Sequence, residues 1–297
     1  MSFNLNPSST ALPAVSGFTL LSIEGIDATA FAQAQFTTDV AALAPGHWHW
    51  SAWLTPKGRV VAVFALLKLD PRTLWLLLPD FPAAELAARL QRFVFRSKVA
   101  LTPCADVAVC ADLDGSRLPA PHAPAALLGR PDAGLVLDFS AAGGTRRLVL
   151  LPASHPAVGG GDPDADAAWR LADLRHGLPR LAPTQVEAWT PHMLSLDRLA
   201  AFSVKKGCYP GQEIVARTHF LGQAKRGLVR LRAAAPLPPD GEVLARDGTA
   251  LGRIVSVAAD GAGCEALAVL PQEAARDALR VGGVAAEPLP LLDGLAR

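Results

Sequence analysis

The segment that most restricts how this chain can fold runs from Lys205 to Arg217 and reads Lys-Lys-Gly-Cys-Tyr-Pro-Gly-Gln-Glu-Ile-Val-Ala-Arg. Pro210 lacks a backbone N–H, and Gly207 and Gly211 allow dihedrals or close approaches that a side chain would block. No regular element crosses such a stretch, so a turn must precede a helix whose first turn holds Gln212 or Glu213. Cys208 lies in that turn beside two ammonium groups. A free thiol titrates at about pH 8.5, and both nearby cations and the N–H groups and dipole of a helix N-terminus favour the thiolate. The plain alternative is a tight turn around a small buried hydrophobe, the usual fate of a free cysteine. The flanking lysines and glycines weigh against it.

The remaining composition bounds the setting. A chain of 297 residues makes one large domain or about two. With 51% hydrophobic and 19% charged residues it is globular, not disordered. The net charge of +1 marks no nucleic-acid binder as a whole, leaving only a local patch open. Half of the six lysines stand at 205, 206 and 225, around the opening segment. Cys104, Cys110, Cys208 and Cys264 form no C-x-x-C pair, which argues against structural zinc, and no metal site is expected. A chain of this size needs no disulfides. Met1 to Ala11 is polar and resembles no secretory signal, and no run reaches the ~18 apolar residues of a membrane span. The expectation is a reduced, cytoplasmic protein that neither enters a membrane nor binds nucleic acid.

Along the chain, Leu20–Gly25 reads as a strand and turn, with Asp27 as N-cap of a helix through Phe31 and Gln35. His47–Trp53 alternates as a strand. Its two histidines lack a third ligand nearby and read as half-exposed strand residues. Lys57-Gly58-Arg59 is a turn, and Val60–Leu69 and Leu74–Leu78 form a hairpin. Asp80 reads as N-cap of a helix with Leu86, Leu90, Phe93 and Val94 on its apolar stripe. Between 101 and 165, strand-like pieces are separated by Pro-, Gly- and Ala-rich loops, and Gly159-Gly160-Gly161 reads as a flexible connection. A helix beginning at Asp164 or Asp166 carries Trp169, Leu171 and Leu174 and ends at Gly177. From Arg226, short apolar strands between Pro, Gly and Asp turns predict a small β-barrel or sandwich.

The run Lys206-Gly207-Cys208-Tyr209-x-Gly211-Gln212-Glu213 resembles the signature of the YgfZ family, folate-binding proteins similar in fold to the glycine-cleavage T-protein that support iron–sulfur cluster assembly or repair. Weaker matches agree. Ile23-x-Gly25-x-Asp27 with Phe31, Gln35, Thr37, Asp39 and Val40 resembles the opening of the family's folate domain. Arg170 and Arg175-x-Gly177-Leu178-Pro179 resemble its "R…R…G-x-P" segment, and Lys57-Gly58-Arg59 its internal turn. Residues 100–165 align with nothing.

The resemblance implies an α+β fold: a T-protein-like folate-binding region over residues 1–225 with a nested ferredoxin-like unit at about 45–130, and a C-terminal β-barrel over 226–297. It implies tetrahydrofolate or another reduced folate in a central channel, with Cys208 near its mouth. Cys208 would be the reactive thiol and Lys206 would stabilise the thiolate or hold the folate's glutamate tail. Arg175 would pair with that tail, and Tyr209, Gln212, Glu213 and Asp39 would complete the cofactor site. Partners would be folate and iron–sulfur client or assembly proteins, approached by a monomer.

One departure is informative. Folate-dependent aminomethyl transfer in T-proteins uses an acidic pair after a Gly-Gly turn, and the corresponding stretch here carries Ala62 and Val63. An apolar pair cannot orient or deprotonate an aminomethyl substrate. The expectation is therefore an accessory protein rather than an enzyme of the usual kind, with a folate-dependent one-carbon transferase or demethylase as the alternative. A Cys-His nucleophilic enzyme is the third reading. His219 lies eleven residues beyond Cys208, about 16 Å along a helix, too far for a proton relay.

Overall fold

The computed structural model describes residues 11–222, 224–261, 263–274 and 276–297. Of the polar Met1–Ala11 stretch, only Ala11 lies within them. In chain order, β1 (Leu12–Ala14) and β2 (Phe18–Glu24) lead to α1 (Ala28–Gln35). A meander of β3 (His47–Leu54), β4 (Val60–Asp70) and β5 (Thr73–Pro79) follows, then α2 (Ala83–Gln91) and β6 (Ala100–Pro103). Next come β7 (Val107–Asp112), β8 (Leu128–Arg130), β9 (Gly134–Asp138), β10 (Arg147–Pro152) and β11 (Val158–Gly161). Helix α3 (Pro163–Arg175) and an irregular stretch precede α4 (Gln212–Leu221). The chain closes with β12 (Arg226–Ala233), β13 (Glu242–Leu244), β14 (Ala250–Asp260), β15 (Gly263–Pro271), β16 (Leu279–Val281) and β17 (Val284–Leu289).

These strands make three units. One sheet has the order β3-β4-β5-β2-β6, a second the order β11-β1-β7-β10-β9-β8, and β12-β15-β14-β13-β16-β17 close into a barrel. Strand β4 is apolar almost throughout because both its faces are covered. Trp48, Trp50, Ala52 and Leu54 on β3 point to a central core shared by all three units. Trp53, Ala62, Phe64 and Leu66 point the other way, to a local core under α1 and α2.

Several local expectations give way to tertiary demands. The stretch 45–130 is divided between sheets: residues up to Pro103 join the first and Val107 onward the second, because β2 pairs with both β5 and β6. Asp80 does not cap α2. It holds φ at 56° and turns its carboxylate to Arg170 and Arg180. Asp27 stands at the N-cap position of α1 but makes no capping bond and accepts from the Lys98 amide. Helix α3 starts at Pro163, capped by Asp162, whose Oδ1 accepts from the Asp164 and Ala165 amides. Gly159–Gly161 belong to a strand that pairs parallel with β1, where Gly159 lies too close to the Leu12 carbonyl for a side chain.

Helix α3 binds the units together. Asp173, fully buried, takes Arg146 Nη1 at 2.7 Å and Arg180 Nε at 3.0 Å. The Arg146 guanidinium lies 4.4 Å from the Trp169 ring and 5.4 Å from that of Phe139. Burial pulls its pKa down and Asp173 opposes this. Two residues beyond Asp173, at the C-terminus of α3, Arg175 reaches Glu265 at 2.8 Å and Asp260 at 3.1 Å, both in the barrel. The tail after β17 folds back, and Trp50 Nε1 donates to the Leu295 carbonyl at 2.8 Å.

Removing one partner from a buried pair strands the others, which costs about 3–5 kcal/mol. Asp173→Ala should therefore lower the urea unfolding midpoint sharply, while Asp132→Ala, which breaks the exposed Arg130–Asp132 pair, should leave it unchanged.

Candidate functional site

In the Lys205–Arg217 segment, the side chains of Lys206, Tyr209 and Gln212 hold the segment still. The Tyr209 ring is buried in the central core, and its hydroxyl donates to the Ser203 carbonyl at 3.1 Å. Burial pushes its pKa up to about 12. Lys206 is also buried. Its Nζ donates to the carbonyls of Gln33 and, at 2.6 Å, Phe36, at the C-terminal end of α1. Such carbonyls lack helical partners, so the ammonium acts as a cap. Burial brings the Lys206 pKa down to about 8, with Asp39 opposing. Its ammonium also lies 5.1 Å from the centre of the Tyr209 ring. Gln212 Nε2 closes the loop by donating to the Lys206 carbonyl at 3.1 Å.

Two glycines seat this loop on the Lys57–Arg59 turn. Gly211 precedes α4 with φ at +79°, and a Cβ there would lie 2.6 Å from the Thr55 carbonyl oxygen and 2.7 Å from Gly58 Cα. Gly58 has φ at +69°, and its Cβ would lie 2.7 Å from Ile214 Cβ. The Lys57–Arg59 turn fills the space where a side chain on Gly211 would go, and Ile214 of α4 the space beside Gly58. Gly207 differs: a Cβ there meets nothing within 4 Å.

Cys208 is thus the exposed tip of a loop pinned at Lys206, Tyr209, Gly211 and Gln212. Glu213, in the first turn of α4, is exposed too. Among the described residues neither side chain has a hydrogen-bond partner. Asp39 accepts from Gln33 Nε2 and the Ala42 amide, both at 3.1 Å, and lies within electrostatic reach of Lys206. The expected residues therefore separate. Lys206, Tyr209 and Gln212 come together as the loop's anchors, whereas Arg175 is committed to the barrel carboxylates. Ala62 and Val63 are both buried, Ala62 in the local core and Val63 in the central one.

Other features escape a reading of the sequence. A polar cluster lies beside the Lys206 anchor: His49 Nε2 bonds Thr38 Oγ1 at 3.0 Å, Thr38 donates to Ser51 at 2.6 Å, and Lys68 Nζ donates to the Val40 carbonyl at 3.0 Å. Burial, then Lys206, bring the His49 pKa down to about 4. The alternation of β3 puts His49 and Ser51 opposite Trp48 and Trp50, but nothing local names their partners. A cavity of about 350 Å3 opens between α3 and β14, lined by Arg170, Leu174, Leu178, Arg180, Val255 and Ser256. At the far end of α4, His192 and His219 stand with ring centres 6.5 Å apart, and Phe220 and Leu221 are exposed.

The three β units around α3, with a glycine-seated thiol loop, define a protein of the T-protein architecture. The glycine cleavage system aminomethyltransferase T of Bartonella henselae shares the fold, with a TM-score of 0.72 at 17% identity over 99% of this chain and 90% of that one. Residues 225–291 match the CAF17 C-terminal beta-barrel domain. An uncharacterised protein of Haemophilus influenzae is 30% identical over 71% of this chain and 69% of its own. The tRNA-modifying protein YgfZ of Vibrio vulnificus is 29% identical over 74% and 70%, and that of Colwellia psychrerythraea 25% over 77% and 74%. The chain belongs to the YgfZ family.

Two tests follow from this geometry. Gly211→Ala should destabilise the protein by about 1–3 kcal/mol, through the contact with Thr55 and the strained φ, and should speed proteolysis within 205–212. For His49, the unfolded chain takes up a proton below the ordinary histidine value of 6.5, while the folded one does so only near 4. Its contribution is complete above 6.5 and lost as pH falls through about 4. Urea midpoints across that window should fall less steeply for His49→Gln than for the parent chain.

Proposed function

We infer that this chain is a reduced-folate-binding accessory protein that presents Cys208 to iron–sulfur proteins during cluster assembly or repair. The observation that carries this reading is the exposure of Cys208 on a loop pinned by Lys206, Tyr209 and Gln212. A thiol at a rigid, open tip suits a macromolecular partner better than a small substrate, which is ordinarily enclosed. A thiolate can ligate iron or attack a disulfide or persulfide sulfur. The cluster in this scheme is cargo, not a resident group. The exposed Phe220 and Leu221 on α4, the helix that follows Cys208, favour a protein partner. The relatives' name speaks of tRNA modification, so the clients would include cluster enzymes that modify tRNA.

The residues fit a folate. The α3–β14 cavity pairs apolar walls at Leu174, Leu178 and Val255 with the guanidinium groups of Arg170 and Arg180, both paired with Asp80 on the same wall, so the glutamate of a folate would have to compete with that carboxylate for them. Among the described residues, Arg180 Nη2 is buried at this cavity without a partner. Such a donor calls for an acceptor, which a folate supplies. Arg170 and Arg180 would hold the acidic tail, and Arg175 would brace the barrel wall. Glu213 and Asp39 keep the roles expected of them only as possible polar contacts. Bound folate would supply one-carbon or redox chemistry. The apolar Ala62 and Val63 offer no group to drive aminomethyl transfer, which disfavours a one-carbon transferase.

The test separates the two halves of the reading. In cells lacking the protein, Cys208→Ala should fail to restore cluster-enzyme activity, while the purified variant still binds tetrahydrofolate by calorimetry. Ser256→Trp, which fills the cavity, should abolish that binding with the barrel still folded. Full rescue by Cys208→Ala would sink the thiol role; unchanged folate affinity in Ser256→Trp would sink the site.

A further inference from the structure

We propose that the surface formed by the end of α2 and the Lys57–Arg59 turn binds single-stranded RNA. This goes beyond the folate and thiol reading and does not rest on it. Helix α2 ends at Gln91, and the chain continues as Arg92-Phe93-Val94-Phe95-Arg96, held by successive turns from Phe93 to Ser97. The apolar stripe expected to run on through Phe93 therefore stops short of the core. Phe95 is 87% exposed and Phe93 36% exposed. Arg92 lies 4.9 Å from the centre of the Phe93 ring, and Arg96 lies 5.6 Å from that of Phe95. The Phe93 ring is braced edge-on by Trp53, 6.3 Å away.

A cleft of about 840 Å3 adjoins these rings, lined by Lys57, Arg59, Arg89 and Arg92, with Glu187 as its one carboxylate. Arg89 spends its charge on Glu85 at 2.7 Å and Glu187 at 2.9 Å. Arg59 is fixed by donating to the Ala188 carbonyl at 2.8 Å. Among the described residues, Lys57, Arg92 and Arg96 pair with no carboxylate. The net charge of +1 thus conceals a local cationic face with two aromatic plates standing on it.

That combination matches one polymer chemistry. Basic grooves track phosphates, and exposed rings flanked by guanidinium planes stack unpaired bases. RNA is the polyanion that routinely displays unpaired bases in loops, and such loops are read by stacking on aromatic and arginine planes. A purely anionic partner would have no use for Phe95, and an apolar one no use for the unpaired cations. The face also lies beside the thiol loop, because Gly58 of the same turn packs against Gly211 and Ile214.

The test is fluorescence anisotropy on the full chain with a labelled oligo-U of about 12 nucleotides, within the usual site size of ~4–16. Binding should weaken steeply between about 50 and 200 mM salt. Phe95→Ala, which removes an exposed side chain and leaves the fold intact, should weaken binding about tenfold. The Arg92→Ala, Arg96→Ala double variant should weaken it and flatten the salt dependence, and Arg280→Ala, on the barrel, should change nothing. No binding by the parent chain, equal binding by the patch variants, or equal affinity for a duplex would overturn the proposal. So would tighter binding of oligo-dT, equal competition by poly-glutamate, or patch-dependent binding to anionic vesicles without binding to oligo-U.

Discussion

Asp173 is the point on which the structure turns. Its carboxylate is cut off from water and held between two guanidinium groups, one from the second sheet and one from the loop after α3. A buried carboxylate stays charged only where its partners are fixed, so this position imposes geometry on everything that meets it. Arg180 passes the constraint to Asp80 at the end of β5, and Asp80 passes it back to Arg170. In the same last turn of the helix, Arg175 faces the barrel, where it and Arg230 meet on Glu265. The three β units also share a central apolar core, whose contacts are strong but not directional. The ion chain supplies direction.

The thiol loop follows a related logic. The Lys206 ammonium and the Tyr209 ring are turned inward, toward α1 and the central core, and the Cys208 thiol outward. Lys206 shows the difference between chemical suggestion and structural use. A lysine two residues from a cysteine reads as an activating cation, yet its ammonium is spent on the end of another helix. The anchors fix the loop's position, so the thiol is held in place before anything meets it.

Much of the fold was legible because it rests on local pattern. The alternation of His47–Trp53, the apolar run of β4, the Pro-Gly stop before α4 and the short strands after Arg226 each report their own structure. The errors share one cause. Asp80 and Asp27 have the chemistry of caps, and distant groups claimed them first: arginines at 170 and 180, and the amide of Lys98. Gly159–Gly161 became a strand because β1 pairs with it across the sheet. The candidate site divided in the same way. Cys208 and the helix beyond it were legible in sequence, as was the need for Gly211. The partners of Lys206 and Arg175 lie more than eighty residues away, and no local rule could have named them.

The interlocked glycines at 58 and 211 make two distant loops into one mechanical part. Their backbones touch with no side chain between them, so there is no slack to absorb a shift. A displacement of the Lys57–Arg59 turn must carry the start of α4 with it, and the thiol loop rides on that helix. In evolutionary terms the two segments cannot drift separately: any change in the length or curvature of the turn has to be matched in the loop, although nearly 150 residues of chain lie between them.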